Sequence, residues 1–157
     1  MSTGPEVNFQ TTILVRDHCL CLHVQRAARA LARRFDEAFK GMRLTNGQFS
    51  LMMSLNRPDL PGVPKATMRS VAELLGMDRT TLTAAVKTLE RRGLVAVQVD
   101  QEDRRGRVLA LTEPGRTVLA SAMPIWLREH AAIEAELGGS NPDRLRRDLN
   151  VLGLAKP

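Results

Sequence analysis

Val71-Ala72-Glu73-Leu74-Leu75-Gly76-Met77-Asp78-Arg79-Thr80-Thr81-Leu82-Thr83-Ala84-Ala85-Val86-Lys87-Thr88-Leu89-Glu90-Arg91-Arg92-Gly93-Leu94-Val95 holds two helical patterns joined by a glycine turn. The first helix starts near Thr67 and carries Met68, Val71, Ala72, Leu74 and Leu75; Gly76 suits its C-terminal end, where a left-handed residue is needed. Asp78 is a natural N-cap for the second, which runs from Arg79 to Arg92. Leu82, Ala85, Val86 and Leu89 fall on one stripe at helical spacing. The other face shows Thr80, Thr81, Thr83, Ala84, Lys87 and Arg91, with Arg79 at its start and Glu90 as its acid. Hydroxyls and positive charge suit phosphates and base edges.

A hairpin follows at once. Val95–Val99 reads as a strand, Asp100–Gly106 as a charged turn, and Arg107–Leu111 as the returning strand. Helix, glycine turn, helix and charged hairpin make a winged helix-turn-helix, whose second helix enters the major groove of DNA. Arg104, Arg105 and Arg107 sit beside the turn, where a basic loop can place an arginine in the narrow minor groove. Of the acids Asp100, Glu102 and Asp103, one is expected to pin an arginine and shape the wing.

Upstream, Leu20, Val24, Ala28, Leu31, Phe35, Phe39 and Met42 predict one long amphipathic helix over 16–42. Thr45 and Gln48 form a capping box for a helix through Leu55, and Pro58, Pro61, Gly62 and Pro64 break the chain into a loop. Downstream, Thr112 caps a helix with the face Leu119, Met123, Trp126, His130, Ile133 and Leu137, which Pro124 should kink or interrupt. Gly138 to Pro142 form a break before a short helix with Leu145, Leu149 and Leu152. The expected organisation is a flexible arm over 1–15, a helical dimerisation region over 16–44 and 113–157, and a DNA-binding lobe over 45–112. The fold class is mainly α with a small β-wing.

Bulk properties agree. A chain of 157 residues, 43% hydrophobic and 25% charged, fits one folded domain. A formal charge of +6 and a pI near 10.3 favour a polyanionic partner. Residues 79–107 hold seven Lys or Arg against four acids; residues 16–43 hold seven against three, so half of this excess lies outside the reading head. Arg29, Arg33 and Arg34 there could line a dimer, approach phosphates or pair with acids. No apolar run approaches the roughly 18 residues that cross a bilayer. No signal peptide is legible and neither cysteine has His/Cys company for a metal, so a reducing cytoplasm, no metal and no cofactor are expected. An enzyme would need a nucleophile beside a base, paired carboxylates or a phosphate loop, none of which is legible.

The runs Val71 to Gly76, Thr81-Leu82-Thr83 and Leu89 to Val95 resemble the core of the MarR (multiple antibiotic resistance regulator) family. Asp100-x-x-Asp103-Arg104-Arg105 and Leu109-x-Leu111-Thr112-x-x-Gly115 match that family's most diagnostic pattern, and the resemblance covers about residues 16 to 137. It implies a sequence-specific transcriptional regulator, by family default a repressor. Its dimer would be built from the first and the two C-terminal helices, on a pseudo-palindromic site in double-stranded DNA. It makes Arg105 the candidate minor-groove arginine and Asp103 its structural neighbour. Many relatives carry an arginine where this chain has Ala84, so base contacts there are lost or moved, to Lys87 or Thr80.

The resemblance also implies release by a small aromatic or anionic effector bound between the dimerisation helices and the wing lobe. Phe39, Phe49, Met52 and Met53 stand where that pocket could form, although core packing is the plainer assignment. One branch of the family instead senses organic hydroperoxides through a first-helix thiol. Cys21, eight residues before Arg29, stands in a similar register, with His18, His23 and Arg26 nearby. That branch uses tyrosines around its thiol, and this chain has none. Cys19 and Cys21, on a continuous helix, would face apart and resist a mutual disulfide; packing as small apolar residues is the expectation. Two rivals remain: a winged-helix protein-interaction module, whose recognition face should be apolar or acidic, and a nonspecific DNA binder.

Overall fold

The computed structural model describes residues 7–58, 60, 62–100 and 106–154. Its order is α1 (Phe9–His18), α2 (Leu20–Ala38), a 3₁₀ turn (Lys40–Met42), α3 (Asn46–Ser54), α4 (Met68–Leu75), α5 (Arg79–Arg91), β1 (Val95–Val99), β2 (Arg107–Leu111), α6 (Glu113–Glu136) and α7 (Pro142–Leu154). The fold is mainly helical, with one two-stranded antiparallel wing. Contacts divide the chain into two units, Met1–Arg34 and Phe35–Pro157.

The first unit departs from the sequence reading. Residues assigned to a flexible arm include α1, which begins on a reciprocal cap: Asn8 Oδ1 accepts from the Thr11 N–H at 3.2 Å, and Thr11 Oγ1 accepts from the Asn8 N–H. The expected single helix over 16–42 is also cut. Cys19 has φ −74° and ψ 104°, extended rather than helical. Its N–H closes α1 on the Val15 carbonyl, and its carbonyl accepts the His23 N–H of α2. The apolar spacing that suggested one helix survives this break, because a single non-helical residue does not erase periodicity on either side. At the far end α2 stops at Ala38, and the 3₁₀ turn ends on Arg43, left-handed at φ 54°.

The second unit holds the core. Three caps foreseen from sequence start their helices, Thr45 on α3, Asp78 on α5 and Thr112 on α6, and Thr67, near which a helix was expected to start, caps α4. Each side-chain oxygen satisfies a backbone N–H that the helix leaves without a partner. Phe39, Leu51, Met52, Val71, Leu82, Leu89 and Val95 are essentially without solvent contact. Phe35, Phe39, Phe49, Trp126 and His130 stack in succession, with neighbouring ring centroids 4.5 to 6.5 Å apart. Every aromatic residue except Phe9 is in that ladder. Met53 does not join the core but is exposed.

Pro124 interrupts nothing: α6 runs 24 residues through it. A proline inside a helix costs about 3 kcal/mol. Burial of Leu119 and Ala122 before it, with Met123, Ile125 and Trp126 partly buried around it, offsets that cost. The last helix is tied to α6 by Arg146, whose guanidinium bonds Glu134 Oε1 at 2.5 Å and Asp143 Oδ1 at 2.6 Å.

Candidate nucleic-acid interface

Val71 of α4 and Leu82, Val86 and Leu89 of α5 are buried, and this shared apolar seam fixes the two helices against each other. Between them Gly76 adopts φ 62° and ψ 30°. The Met77 N–H bonds the Ala72 carbonyl at 3.0 Å, closing α4 and turning the chain into α5. A side chain at Gly76 would meet open space, so the left-handed backbone, not crowding, calls for glycine.

Asp78 holds the start of α5 with both oxygens. Oδ1 accepts the Thr81 N–H at 2.9 Å and Oδ2 accepts the Thr81 hydroxyl at 2.6 Å. The Thr81 hydroxyl, then its N–H, keep the Asp78 carboxyl below the usual carboxylate range. The Thr83 hydroxyl donates to the Arg79 carbonyl at 2.7 Å and the Thr88 hydroxyl to the Ala84 carbonyl at 3.0 Å. Thr81 and Thr83 therefore spend their protons on the helix itself and present lone pairs outward. Thr80, Ala84, Lys87 and Arg91, spaced four, three and four residues apart, form the exposed stripe opposite the buried seam, with Arg79 exposed at its head. Ala84 opens a shallow depression bordered by Lys87, Thr88, Glu90 and Arg91.

The wing pairs Val95 with Leu111, Val97 with Leu109 and Val99 with Arg107. Val95, Leu109 and Leu111 are buried beneath it. Past the last pair the Asp100 N–H bonds the Gly106 carbonyl at 3.1 Å. Asp100 was one of three acids expected to pin an arginine; it bonds Lys65 Nζ at 2.8 Å, with only 14% of its side chain exposed. Next to Lys65, the Leu109 N–H bonds the Ala66 carbonyl at 2.8 Å, and Thr67 bridges Val108. The loop before α4 thus forms a partial third strand. Arg107 is exposed on β2, where its guanidinium donates to the Gly106 carbonyl. Asp103, Arg104 and Arg105 lie outside the described residues, as does Glu102.

Two further contacts escaped the sequence reading because they join distant positions. Arg92, at the end of α5, donates to the Arg43 carbonyl at 2.8 Å and to Gln48 Oε1 at 3.4 Å. Thr112 donates to the Gly93 carbonyl at 2.6 Å while accepting the Gly115 N–H at 3.1 Å. A Cβ on Gly115 would lie 2.1 Å from the Leu94 carbonyl oxygen, so the first turn of α6 rests directly on the root of the wing. Among the described residues no group of His, Cys, Asp and Glu could hold a metal, and no helix is long and apolar enough to cross a membrane. Of the two thiols, Cys19 is half-buried and Cys21 exposed in the single chain.

This winged helix-turn-helix fold is shared with known regulators. The MarR family model matches residues 50–106. The chain is 35% identical over 101 residues to the transcriptional regulator HosA of Escherichia coli O127:H6, covering 57% of this chain and 75% of HosA. It is 30% identical over 99 residues to the transcriptional activatory protein BadR of Rhodopseudomonas palustris, covering 63% of this chain and 55% of BadR. The crystal structure of the M. tuberculosis transcriptional regulator MosR in complex with DNA superposes with a TM-score of 0.75 at 34% identity, covering 87% of this chain and 94% of MosR. The chain belongs to the MarR family. It is a winged-helix, DNA-binding transcriptional regulator and not an enzyme. In this MarR-family chain the exposed stripe of α5 is the surface to test against DNA.

Proposed function

We propose that this MarR-family protein is a cytoplasmic homodimeric repressor that binds a pseudo-palindromic operator and is released by a small aromatic or anionic effector. The basic stripe on α5, standing on a buried seam beside a tethered wing, is the observation that carries the DNA-binding part. Arg79, Thr80, Lys87 and Arg91 act as direct contacts to bases and phosphates. Thr81 and Thr83, with their protons committed, act as acceptors. Arg105 enters the minor groove with Asp103 shaping its loop, and Arg104 and Arg107 serve phosphates; these roles rest on the family pattern.

The dimer is supported by apolar residues exposed in the single chain. Leu14, Val15, Leu20, Val24 and Leu31 are exposed in the N-terminal helices, and Leu145, Leu149, Val151 and Leu152 in α7. Residues 16–44 and 113–157 then form the dimerisation region, and 45–112 the reading lobe. Two-fold symmetry sets the two α5 helices about 34 Å apart, one turn of DNA.

An open groove of about 400 Å³ between α3, α4 and α6 supports the effector site. Phe49, Met53, Leu74, Leu75, Met123 and Trp126 line it, with Ser50 and Ser54 as polar groups. A planar ring fits against Trp126, and any molecule seated there presses on α4, the helix that positions α5. Gel-shift titration of the full protein with its own upstream DNA and a scrambled duplex tests the reading. A margin of about a thousandfold at one salt concentration supports a specific regulator. Equal affinity for both duplexes would refute it. A transcription assay on the same DNA separates repression from activation.

A further inference from the structure

We propose that Ala84, among threonines whose hydroxyl protons are already committed, makes the middle of α5 a reader of the thymine 5-methyl group, selecting a T·A pair in each operator half-site. This base preference rests on the DNA-binding reading above. In a winged helix-turn-helix the second helix lies in the major groove. There thymine shows a methyl group and one acceptor, adenine an acceptor and an amino donor, guanine two acceptors, and cytosine an amino donor. The pair a helix prefers depends on what its exposed face offers to these four edges.

The charged donors of α5 stand towards its two ends. Arg79 heads the exposed face, and Lys87 and Arg91 lie in its second half. Between them the hydroxyls are turned inward. The Thr81 hydroxyl donates to Asp78 Oδ2 at 2.6 Å and the Thr83 hydroxyl to the Arg79 carbonyl at 2.7 Å. A hydroxyl carries one proton, so neither keeps one for guanine O6 or N7 or for thymine O4. The next turn repeats the arrangement, the Thr88 hydroxyl donating to the Ala84 carbonyl at 3.0 Å. These three side chains therefore offer methyl groups and lone pairs.

Ala84 stands in the middle of this stretch. It is exposed, with Thr80 and Thr81 one turn before it and Lys87 and Thr88 one turn after. A recess of about 450 Å³ opens there, bordered by Ala84, Lys87, Thr88, Glu90 and Arg91. A thymine methyl group enters it without stripping water from any polar atom, and alanine against that methyl is an apolar pairing the groove permits. Guanine in the same place brings two acceptors against a methyl group and loses their water without replacement. Adenine across the pair suits the surroundings, because its amino group donates to the lone pairs of Thr81 or Thr83. Lys87 and Arg91, on longer side chains one turn further, serve the adjacent pairs and the phosphates.

The test begins with duplexes that the full-length protein selects from a random library. The selected duplex is amplified with sparse dUTP in place of dTTP, partitioned by the protein, and both pools are cleaved at uracil. Uracil differs from thymine only in lacking the methyl group. One thymine in each half-site should be the position where uracil is depleted from the bound pool. A synthetic duplex with a single uracil there should bind about fourfold more weakly, the contribution of one buried methyl group. Ala84→Gly should bind the thymine duplex about fourfold more weakly as well, and should no longer distinguish it from the uracil duplex, because the two methyl groups act on each other. The uracil arm uses the wild-type protein, so it decides the question even where Ala84→Gly loses stability. Binding indifferent to every uracil would overturn the proposal. Full uracil sensitivity in Ala84→Gly would also overturn it, by placing the methyl group against another residue. A library that yields no motif would refute the DNA-binding reading and the thymine contact together, whereas a clear motif without uracil dependence refutes the thymine contact alone.

Discussion

Replacing Gly115 with alanine sets two effects of opposite sign against each other. Inside α6, alanine favours the helix over glycine by about 1 kcal/mol. Against this, the new methyl would sit 2.1 Å from the Leu94 carbonyl oxygen and 3.0 Å from Leu111 Cδ1. Ordinary contact needs about 3.4 Å, so the first turn of α6 must retreat by more than 1 Å from a rigid backbone group. Overpacking of this kind costs about 1–3 kcal/mol. The retreat also stretches the Thr112 bonds to Gly93 and Gly115, and losing a cap costs about 1 kcal/mol more. The net expectation is a loss of about 1–3 kcal/mol, or roughly 2–10 °C in Tm for a chain of this size. Thermal melts of wild type and Gly115→Ala at equal protein concentration measure it, since association of any kind makes Tm depend on concentration. A variant as stable as wild type, or more stable, would show that helix propensity wins and that α6 does not bear on the wing root.

Arg105→Ala should weaken operator binding by about 1–3 kcal/mol without changing the melt, and an unchanged gel-shift titration would remove Arg105 from the groove. Lys87→Ala should reduce affinity for the operator and flatten its salt dependence by about one counterion, as measured by binding at several salt concentrations. Asp78 carries a depressed carboxyl pKa, so its contribution to stability is present above the ordinary carboxylate range and is lost as pH falls through the folded value. Asp78→Asn should therefore narrow the stability gap between pH 6 and about pH 3 in urea melts, and an unaltered gap would count against the cap. Trp126 is the single tryptophan, so its emission should change on titration with a small aromatic carboxylate; a silent titration alongside operator release would move the effector elsewhere.

Local chemistry was legible in the sequence, and distant chemistry was not. Thr45, Asp78 and Thr112 were identifiable because a cap acts within three residues of itself. The buried stripe of α5 followed from periodicity. The α1 cap at Asn8 is equally local, but the weak apolar pattern behind it concealed the helix, which buries no residue. The break at Cys19 left no periodic trace. Lys65 with Asp100 and Arg92 with Arg43 join positions 35 and 49 residues apart, which no window along the chain compares. The family pattern ending in Gly115 was readable as a motif, but its cause, the Leu94 carbonyl beneath it, needed three dimensions.

Arg92 gives α5 one held end. Its guanidinium grips the Arg43 carbonyl at the C-terminal end of the helix, while Arg79 and Thr80, the proposed base contacts, stand at the other. A 13-residue helix is roughly 20 Å long, so the latch makes α5 a lever with its fulcrum far from the proposed base contacts. A tilt of about 5° at Arg92 carries Arg79 and Thr80 roughly 1.7 Å, enough to break a hydrogen bond of ordinary length. A small push from α4 is thus amplified at the proposed base contacts, and in the proposed dimer two-fold symmetry would double the mismatch across an operator.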